Sequence, residues 1–206
     1  MHRITLATRN AHKTREFAHI LGSEFRISDL ADTPAIPEVE ETGETLAENA
    51  ILKALAASAI LPGTILSDDS GLEVDALQGA PGVRSARYAG ASATDAENVA
   101  KLITDLRAAN ANGRPWTGRF HCVIALAKNG DLLETFHGTV HGIIIPQPRG
   151  AGGFGYDPVF VPDGYQQTFA EMDASVKDLI SHRANAITLL RDYLAKPGDA
   201  TKLPAS

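Results

Sequence analysis

Thr117-Gly118-Arg119-Phe120-His121-Cys122-Val123-Ile124-Ala125-Leu126-Ala127, then Lys128-Asn129-Gly130-Asp131, then Leu132 onward to Ile145, is the stretch that decides the fold class. Two long apolar segments flank Asn-Gly, the pair best suited to a two-residue turn between antiparallel strands. The reading is a hairpin with strands over 117–127 and 132–145. A hairpin in mid-chain excludes a purely parallel sheet, whose strands need crossover connections.

Working upstream, Val99, Leu102, Ile103 and Leu106 fall at i, i+3, i+4 and i+7, and Thr94-x-x-Glu97 is a capping box ahead of them. A helix is predicted there, with a connection over 110–114. Thr45-x-x-Glu48 predicts another helix to about Ile60, closed by Leu61-Pro62-Gly63. Ile4 and Leu6 alternate as a strand, Phe17, Ile20 and Leu21 share a helical face, and Phe25 and Ile27 restart a period of two. Thr64 to Leu66 suggest a short strand running into an acidic turn at Ser67-Asp68-Asp69-Ser70-Gly71, after which Leu72, Val74 and Ala76 alternate again. Downstream, a helix is expected over about Ser181–Ala195, and Lys196-Pro197-Gly198 ends it. Strands and helices thus interleave without one regular period, which predicts an α/β fold: a mixed, twisted sheet flanked by helices. The loops at 32–43 and 79–90 are placed at the edges of a cleft.

Composition narrows the function. The 206 residues carry a formal charge of -6 and are 44% hydrophobic. That suffices for a core and argues against a nucleic-acid coat, which needs a basic surface. No apolar run reaches the roughly 20 residues needed to cross a bilayer. Cys122 is the single cysteine, so neither an internal disulfide nor a cysteine metal cluster is available. It reads as a core thiol, with His121 on the opposite strand face. His137 and His141 share a face but lack a third zinc ligand. A cytoplasmic protein is the expectation.

Five stretches carry chemical possibilities. Thr8-Arg9-Asn10-Ala11-His12-Lys13 joins a strand to a helix start, where backbone N–H groups and the dipole favour an anion such as a polyphosphate. It lacks the glycines of a P-loop, and an ordinary capped turn has the same composition. Asp68-Asp69 are adjacent acids beside apolar residues: one suits Mg²⁺ and the other a proton from water, and an Asp-rich surface turn is the alternative. Glu38, Glu40, Glu41 and Glu44 form an acidic loop, one member of which can join Asp69 at a metal, and Lys53 follows on the next helix. Gly152-Gly153-Phe154-Gly155-Tyr156-Asp157-Pro158 combines close-approach glycines with rings able to stack on a base, and Asp157 can bond a base or a nearby lysine. Lys177 and Ser181-His182-Arg183 supply donors for carbonyl oxygens.

Taken in order, Leu6-Ala7-Thr8-Arg9-Asn10-x-x-Lys13-x-x-Glu16, Glu41-Thr42-Gly43 with Glu48-Asn49-Ala50-x-x-Lys53-Ala54, Asp68-Asp69-Ser70-Gly71-Leu72, Gly79-Ala80-Pro81-Gly82 with Ser85-Ala86-Arg87-Tyr88, Gly153-Phe154-Gly155-Tyr156-Asp157-Pro158 and Ser181-His182-Arg183 resemble the inosine triphosphate pyrophosphatase, or Ham1-like, family. Arg9 departs from the small residues common there. The resemblance implies an elongated two-lobed domain over 1–195 with a central cleft, a tail at 196–206, and a homodimer. It implies Mg²⁺-dependent hydrolysis of ITP, dITP and XTP to the monophosphate and pyrophosphate. Carried onto this chain, Asp69 accepts the proton of water attacking the α-phosphorus and neighbours the metal, with Glu40 or Glu41 as a further ligand. Thr8 to Lys13 hold the phosphates, and Lys13 and Lys53 stabilise the departing group. Ser70, Phe154, Gly155, Tyr156, Asp157, Lys177, His182 and Arg183 contact substrate, with Arg183 donating to the purine 6-oxygen. A Maf-like enzyme and a non-catalytic nucleotide-binding regulator are the rival expectations. Single-stranded RNA binding through Phe154 and Tyr156 fits poorly with the negative charge.

Overall fold

The structure, a computed structural model, describes residues 2–31, 33, 36–37, 39–109 and 115–195. The expected connection at 110–114 and tail at 196–206 lie outside the described residues, as does Glu38. The elements run β1 (His2–Leu6), α1 (Ala11–Leu21), β2 (Phe25–Asp29), α2 (Leu46–Ser58), β3 (Thr64–Val74), α3 (Asp95–Ala109), β4 (Trp116–Lys128), β5 (Asp131–Ile144), β6 (Phe160–Pro162), α4 (Ala174–Ile180) and α5 (His182–Leu194). Six strands form one sheet in the order β2-β1-β3-β4-β5-β6. β1 is parallel to β2 and β3, while β5 and β6 are antiparallel, so the sheet is mixed. Asn129 and Gly130 turn β4 into β5 with φ of 54° and 86°, the left-handed pair that an Asn-Gly hairpin requires. Both capping boxes form: Thr45 with Glu48, and Thr94 with Glu97.

The chain groups into two compact units. The first comprises Met1–Asp69, Cys122–Gly138 and Arg183–Ser206. Its apolar residues on β1, β3 and β4 (Ile4, Leu6, Leu66, Cys122, Ile124, Leu126) pack with Phe17 and Leu21 of α1 and Ala186, Ile187 and Leu190 of α5. Ile65 points the other way, into a cluster with Ala7, Leu30, Ile36 and Ala57 of α2. α1 and α5 therefore cover one face of β3 and α2 the other. The second unit comprises Ser70–His121 and Thr139–His182. There Leu72 and Val74 of β3 pack with Phe120, Ile144 and Phe160 and with the Val99, Leu102, Ile103 and Leu106 stripe of α3.

The acidic turn expected at 67–71 does not exist. Thr64–Val74 is one uninterrupted strand, and Ala76 lies in a single-turn helix, Asp75–Leu77. Gly71 serves close approach rather than turning: a Cβ there would lie 2.4 Å from the Gly82 carbonyl oxygen and 3.2 Å from Ser85 Oγ. Ser85 Oγ accepts from the Leu72 N–H at 2.9 Å and donates to that same Gly82 carbonyl at 2.6 Å. Gly71→Ala should destabilise the protein by about 1–3 kcal/mol through overpacking against backbone. Urea unfolding of the two proteins at one temperature checks this.

Candidate functional site

A straight β3 separates its two neighbouring acids. Asp68 lies on the side of Leu66, facing α1 and α5, and Asp69 on the side of Ile65, facing α2. Lys13 Nζ of α1 sits 3.0 Å from Asp68 Oδ1. Arg183, the second residue of α5, donates to Asp68 Oδ2 from Nη2 at 3.0 Å and from Nε at 3.3 Å, and its Nη1 donates to Glu16. On the other face, Lys53 Nζ of α2 donates to Asp69 Oδ1 at 2.9 Å and to Glu41 Oε1 at 2.8 Å.

The charges are held where solvent does not screen them. The Asp68 and Arg183 side chains are 0% and 1% exposed. Desolvating two such ions costs several kcal/mol each, so the arrangement persists only because each meets opposite charge. Burial acts against the Asp68 carboxylate, but Lys13, Arg183 and Lys53 outweigh it and hold its pKa well below the usual carboxylate range. The balance differs at Asp69, where burial, reinforced by Glu41, prevails over Lys53 and Lys13 and raises the carboxyl. Burial pulls Lys53 down, yet Asp69, Asp68 and Glu41 together raise it. Adjacent acids on one strand thus acquire opposite shifts.

The turn after β1 differs from expectation. Asn10 caps α1, its Oδ1 accepting from the His12 and Lys13 N–H groups at 2.9 and 3.3 Å, and Thr8 Oγ1 accepts from the Asn10 N–H at 3.1 Å. The Asn10, His12 and Lys13 amides, within the stretch expected to hold phosphate, are engaged by the turn's own side chains. Arg9 reaches away, its Nη2 donating to the Ile36 carbonyl at 2.7 Å. Ala11 is exposed, and His12 Nδ1 lies 3.1 Å from Arg15 Nη2. Of the stretch from Thr8 to Lys13, Lys13 is the residue brought to the carboxylates.

The second unit holds a separate cluster. Asp157 and Lys177 form a buried pair, Nζ to Oδ2 at 2.6 Å, and Asp157 Oδ2 also accepts the Phe154 N–H at 2.9 Å. Lys177 Nζ stands 5.0 Å from the Phe154 ring centroid and 5.7 Å from that of Phe169, within cation–π range. Gly153, at φ 70°, has no room for a side chain: a Cβ would lie 2.0 Å from Asp157 Oδ2. His182 is buried and stacks on Phe120, centroids 4.8 Å apart and planes 13° apart. Ser70, half-buried, is the first residue of this unit and follows Asp69 along β3. Of the two readings for Asp157, the nearby lysine is the one realised.

Two expected substrate contacts are otherwise employed. Tyr156 is buried, and its hydroxyl donates to the Ser85 carbonyl at 2.8 Å, so it packs as a core residue; burial pushes its phenol pKa up. Arg183, expected at a purine oxygen, spends its guanidinium on Asp68 and Glu16. Sequence reasoning missed Glu16 as a partner, although its position three residues after Lys13 puts both on one helix face.

Glu41 and Asp69 are the acids brought together, whereas Glu40 is exposed. Their oxygens suit a hard cation such as Mg²⁺, which takes one or two carboxylates and completes its shell with water and phosphate oxygens. Among the described residues no group of three or more His, Cys, Asp or Glu is arranged to hold an ion alone, which such a shared site does not require.

A mixed sheet whose third strand sets buried acids against lysines from two helices defines a mixed α/β protein equipped to handle phosphate charge. The sequence pattern of the Ham1 family matches residues 4–193, and the chain belongs to that family. It is 48% identical over 199 residues to a dITP/XTP pyrophosphatase of Geobacter sulfurreducens, covering 96% of this chain and 99% of the relative. A dITP/XTP pyrophosphatase of Geobacillus kaustophilus is 49% identical over 191 residues, covering 92% and 93%. The fold matches a Ham1 protein from Coxiella burnetii with a TM-score of 0.85 at 42% identity, covering 96% of this chain and 100% of that one. The Staphylococcus aureus Ham1 protein matches at 0.81 and 39%, covering 93% and 97%. The Maf-like alternative gives way to this family.

Asp68→Asn should destabilise the fold by about 3–5 kcal/mol, because Lys13 and Arg183 lose their buried counter-ion. Asp68 has a depressed folded pKa, so its contribution is complete above the unfolded value near 3.9. It is lost as pH falls below that value toward the folded pKa. Denaturant melts from pH 7 to 3 should show an acid-dependent loss in the wild type that is smaller in the variant.

Proposed function

We propose that this chain is a nucleoside triphosphate pyrophosphatase that hydrolyses ITP, dITP and XTP, non-standard purine nucleotides, to the monophosphate and pyrophosphate, thereby clearing them from the nucleotide pool. The observation that carries this is the lysine-held Asp69 beside Glu41, in a chain nearly half identical to proteins named for that activity. A non-catalytic nucleotide-binding regulator would have no need of a carboxyl so arranged.

Glu41 and Asp69 would hold Mg²⁺. When bound, the ion neutralises phosphate charge and polarises the phosphoryl group under attack. Lys53 orients Asp69 through one carboxylate oxygen and joins it to Glu41. Asp69 accepts the proton of the water that attacks the α-phosphorus, with Lys53 holding one of its carboxylate oxygens in place. Pyrophosphate leaves with its charge spread over several oxygens. Lys13, the more exposed of Asp68's two cation partners, turns toward that charge while Arg183 stays on Asp68. Arg183 and Glu16 are positioning residues in this scheme.

Base selection falls to the second unit. Phe154 offers a ring for stacking, and Lys177 beside it, bonded to Asp157, brings an ammonium group to that ring. Hypoxanthine and xanthine present an oxygen at position 6 where adenine presents an amino group. A lysine N–H donates to that oxygen and faces a second donor in adenine, and an unpaired buried group costs about 1–3 kcal/mol. His182 lies one residue before Arg183 and stacks on Phe120, which fixes the start of α5. A cytoplasmic homodimer completes the proposal. The single, buried cysteine suits a reducing compartment, and no helix among the described residues is long and apolar enough to cross a membrane.

Asp69→Asn should lower kcat for ITP by about 10²–10⁴-fold, the worth of a general base, with a loss of stability no larger than the about 1–3 kcal/mol of its contact with Lys53. Phosphate analysis of the wild-type reaction with Mg²⁺ should find pyrophosphate as the primary product. Orthophosphate appearing first, or full activity in the variant, contradicts the scheme. Chelation of the divalent ion should abolish turnover and leave the fold intact.

A further inference from the structure

We propose that Asp95 is a positioning residue for the base-stacking ring, acting on Phe154 through the next residue's backbone. This rests on the reading above, in which Phe154 stacks on the purine. Asp95 is the first residue of α3, yet that helix start is capped without it. The Thr94 N–H donates to Glu97 Oε2 at 2.7 Å, and the Glu97 N–H returns to Thr94 Oγ1 at 3.3 Å. The Asp95 carboxylate is directed elsewhere: its Oδ2 accepts the Gly155 N–H at 2.7 Å, across 60 residues of sequence.

The glycine-rich loop is thereby held by two carboxylates at consecutive amides. Asp157 takes the Phe154 N–H and Asp95 takes the Gly155 N–H. Further ties of this stretch run within its own segment (Gly152 N–H to the Ala170 carbonyl, Arg149 N–H to Pro158, and Arg149 Nη2 to Gln166) and, through the Tyr156 hydroxyl, to the Ser85 carbonyl. Asp95 links it to α3. Asp95, Val99 and Ile103 of the helix and Phe154 and Gly155 of the loop line one cavity of about 640 Å³. Arg107 Nη2 joins the two walls further along, at the Pro146 carbonyl (3.5 Å), and the Asp95 bond joins them at the residue after the ring, where it fixes the ring's pose. An ionised acceptor makes that bond stronger than a neutral one would.

The test compares wild type, Asp95→Ala, Asp95→Ser and Asp95→Asn in ITP hydrolysis with Mg²⁺, with inorganic tripolyphosphate as a base-free competitive inhibitor and melting curves alongside. Asp95→Ala and Asp95→Ser should raise KM for ITP roughly three- to tenfold with kcat within about twofold. Ki for tripolyphosphate should stay unchanged, and Asp95→Asn, which keeps an acceptor oxygen, should restore KM. Ser keeps a polar helix start, so it carries the test if Ala melts early. An unchanged KM in both variants overturns the inference alone, as does a Ki that rises by the same factor as KM. A wild-type protein that leaves ITP intact overturns the functional reading and this inference with it.

Discussion

Two neighbouring carboxylates cannot share one dry environment without one being neutralised. β3 resolves this by running straight through Asp68 and Asp69, so that the two-residue period of a strand sends them to opposite faces. Asp68 enters the layer beneath α1 and α5 and meets Lys13 and Arg183, and Asp69 enters the layer beneath α2 and meets Lys53. Much else in the first unit follows. α1 must present Lys13 and Glu16 on one face, α5 must begin with its arginine buried, and α2 must carry Lys53 opposite Glu41. The same separation gives the two acids different chemistry. One is held as an anion by its cation partners; the other is shifted toward its protonated form by burial.

The second unit solves a different problem with similar means. A single buried ion pair, Asp157 with Lys177, is surrounded by Phe154 and Phe169, and its carboxylate also secures the loop backbone at Phe154. The lysine is thereby fixed between a carboxylate and two aromatic faces. Ring and ammonium group are thus fixed together.

Much of the architecture was legible because it is local. Asn129-Gly130 specified the hairpin, Thr45/Glu48 and Thr94/Glu97 marked two helix starts, and the Val99–Leu106 stripe identified the covered face of α3. What stayed hidden depended on distant partners. Ser67 to Gly71 has the composition of a turn, and only packing of Gly71 against Gly82 and Ser85 shows why a glycine belongs in a strand. β6 is three residues long and α4 seven, too short for periodicity to register. Lys13, Lys53 and Asp69 could be nominated by residue type. The binding of Arg183 by Glu16 and Asp68, across 167 and 115 residues, and the packing of Tyr156 under Ser85 could not, because nothing local distinguishes a committed side chain from an available one.

The division of labour along β3 is most directly tested by double-mutant cycles. Lys13 with Asp68 and Lys53 with Asp69 should each show coupling of about 1–3 kcal/mol in unfolding free energy, as groups in direct contact do. The crossed pairs, Lys13 with Asp69 and Lys53 with Asp68, feel each other's charge without direct contact and should couple clearly more weakly than the direct pairs. Crossed couplings as large as the direct ones would mean that the two acids share a single environment, and the separation on which the account depends would be wrong.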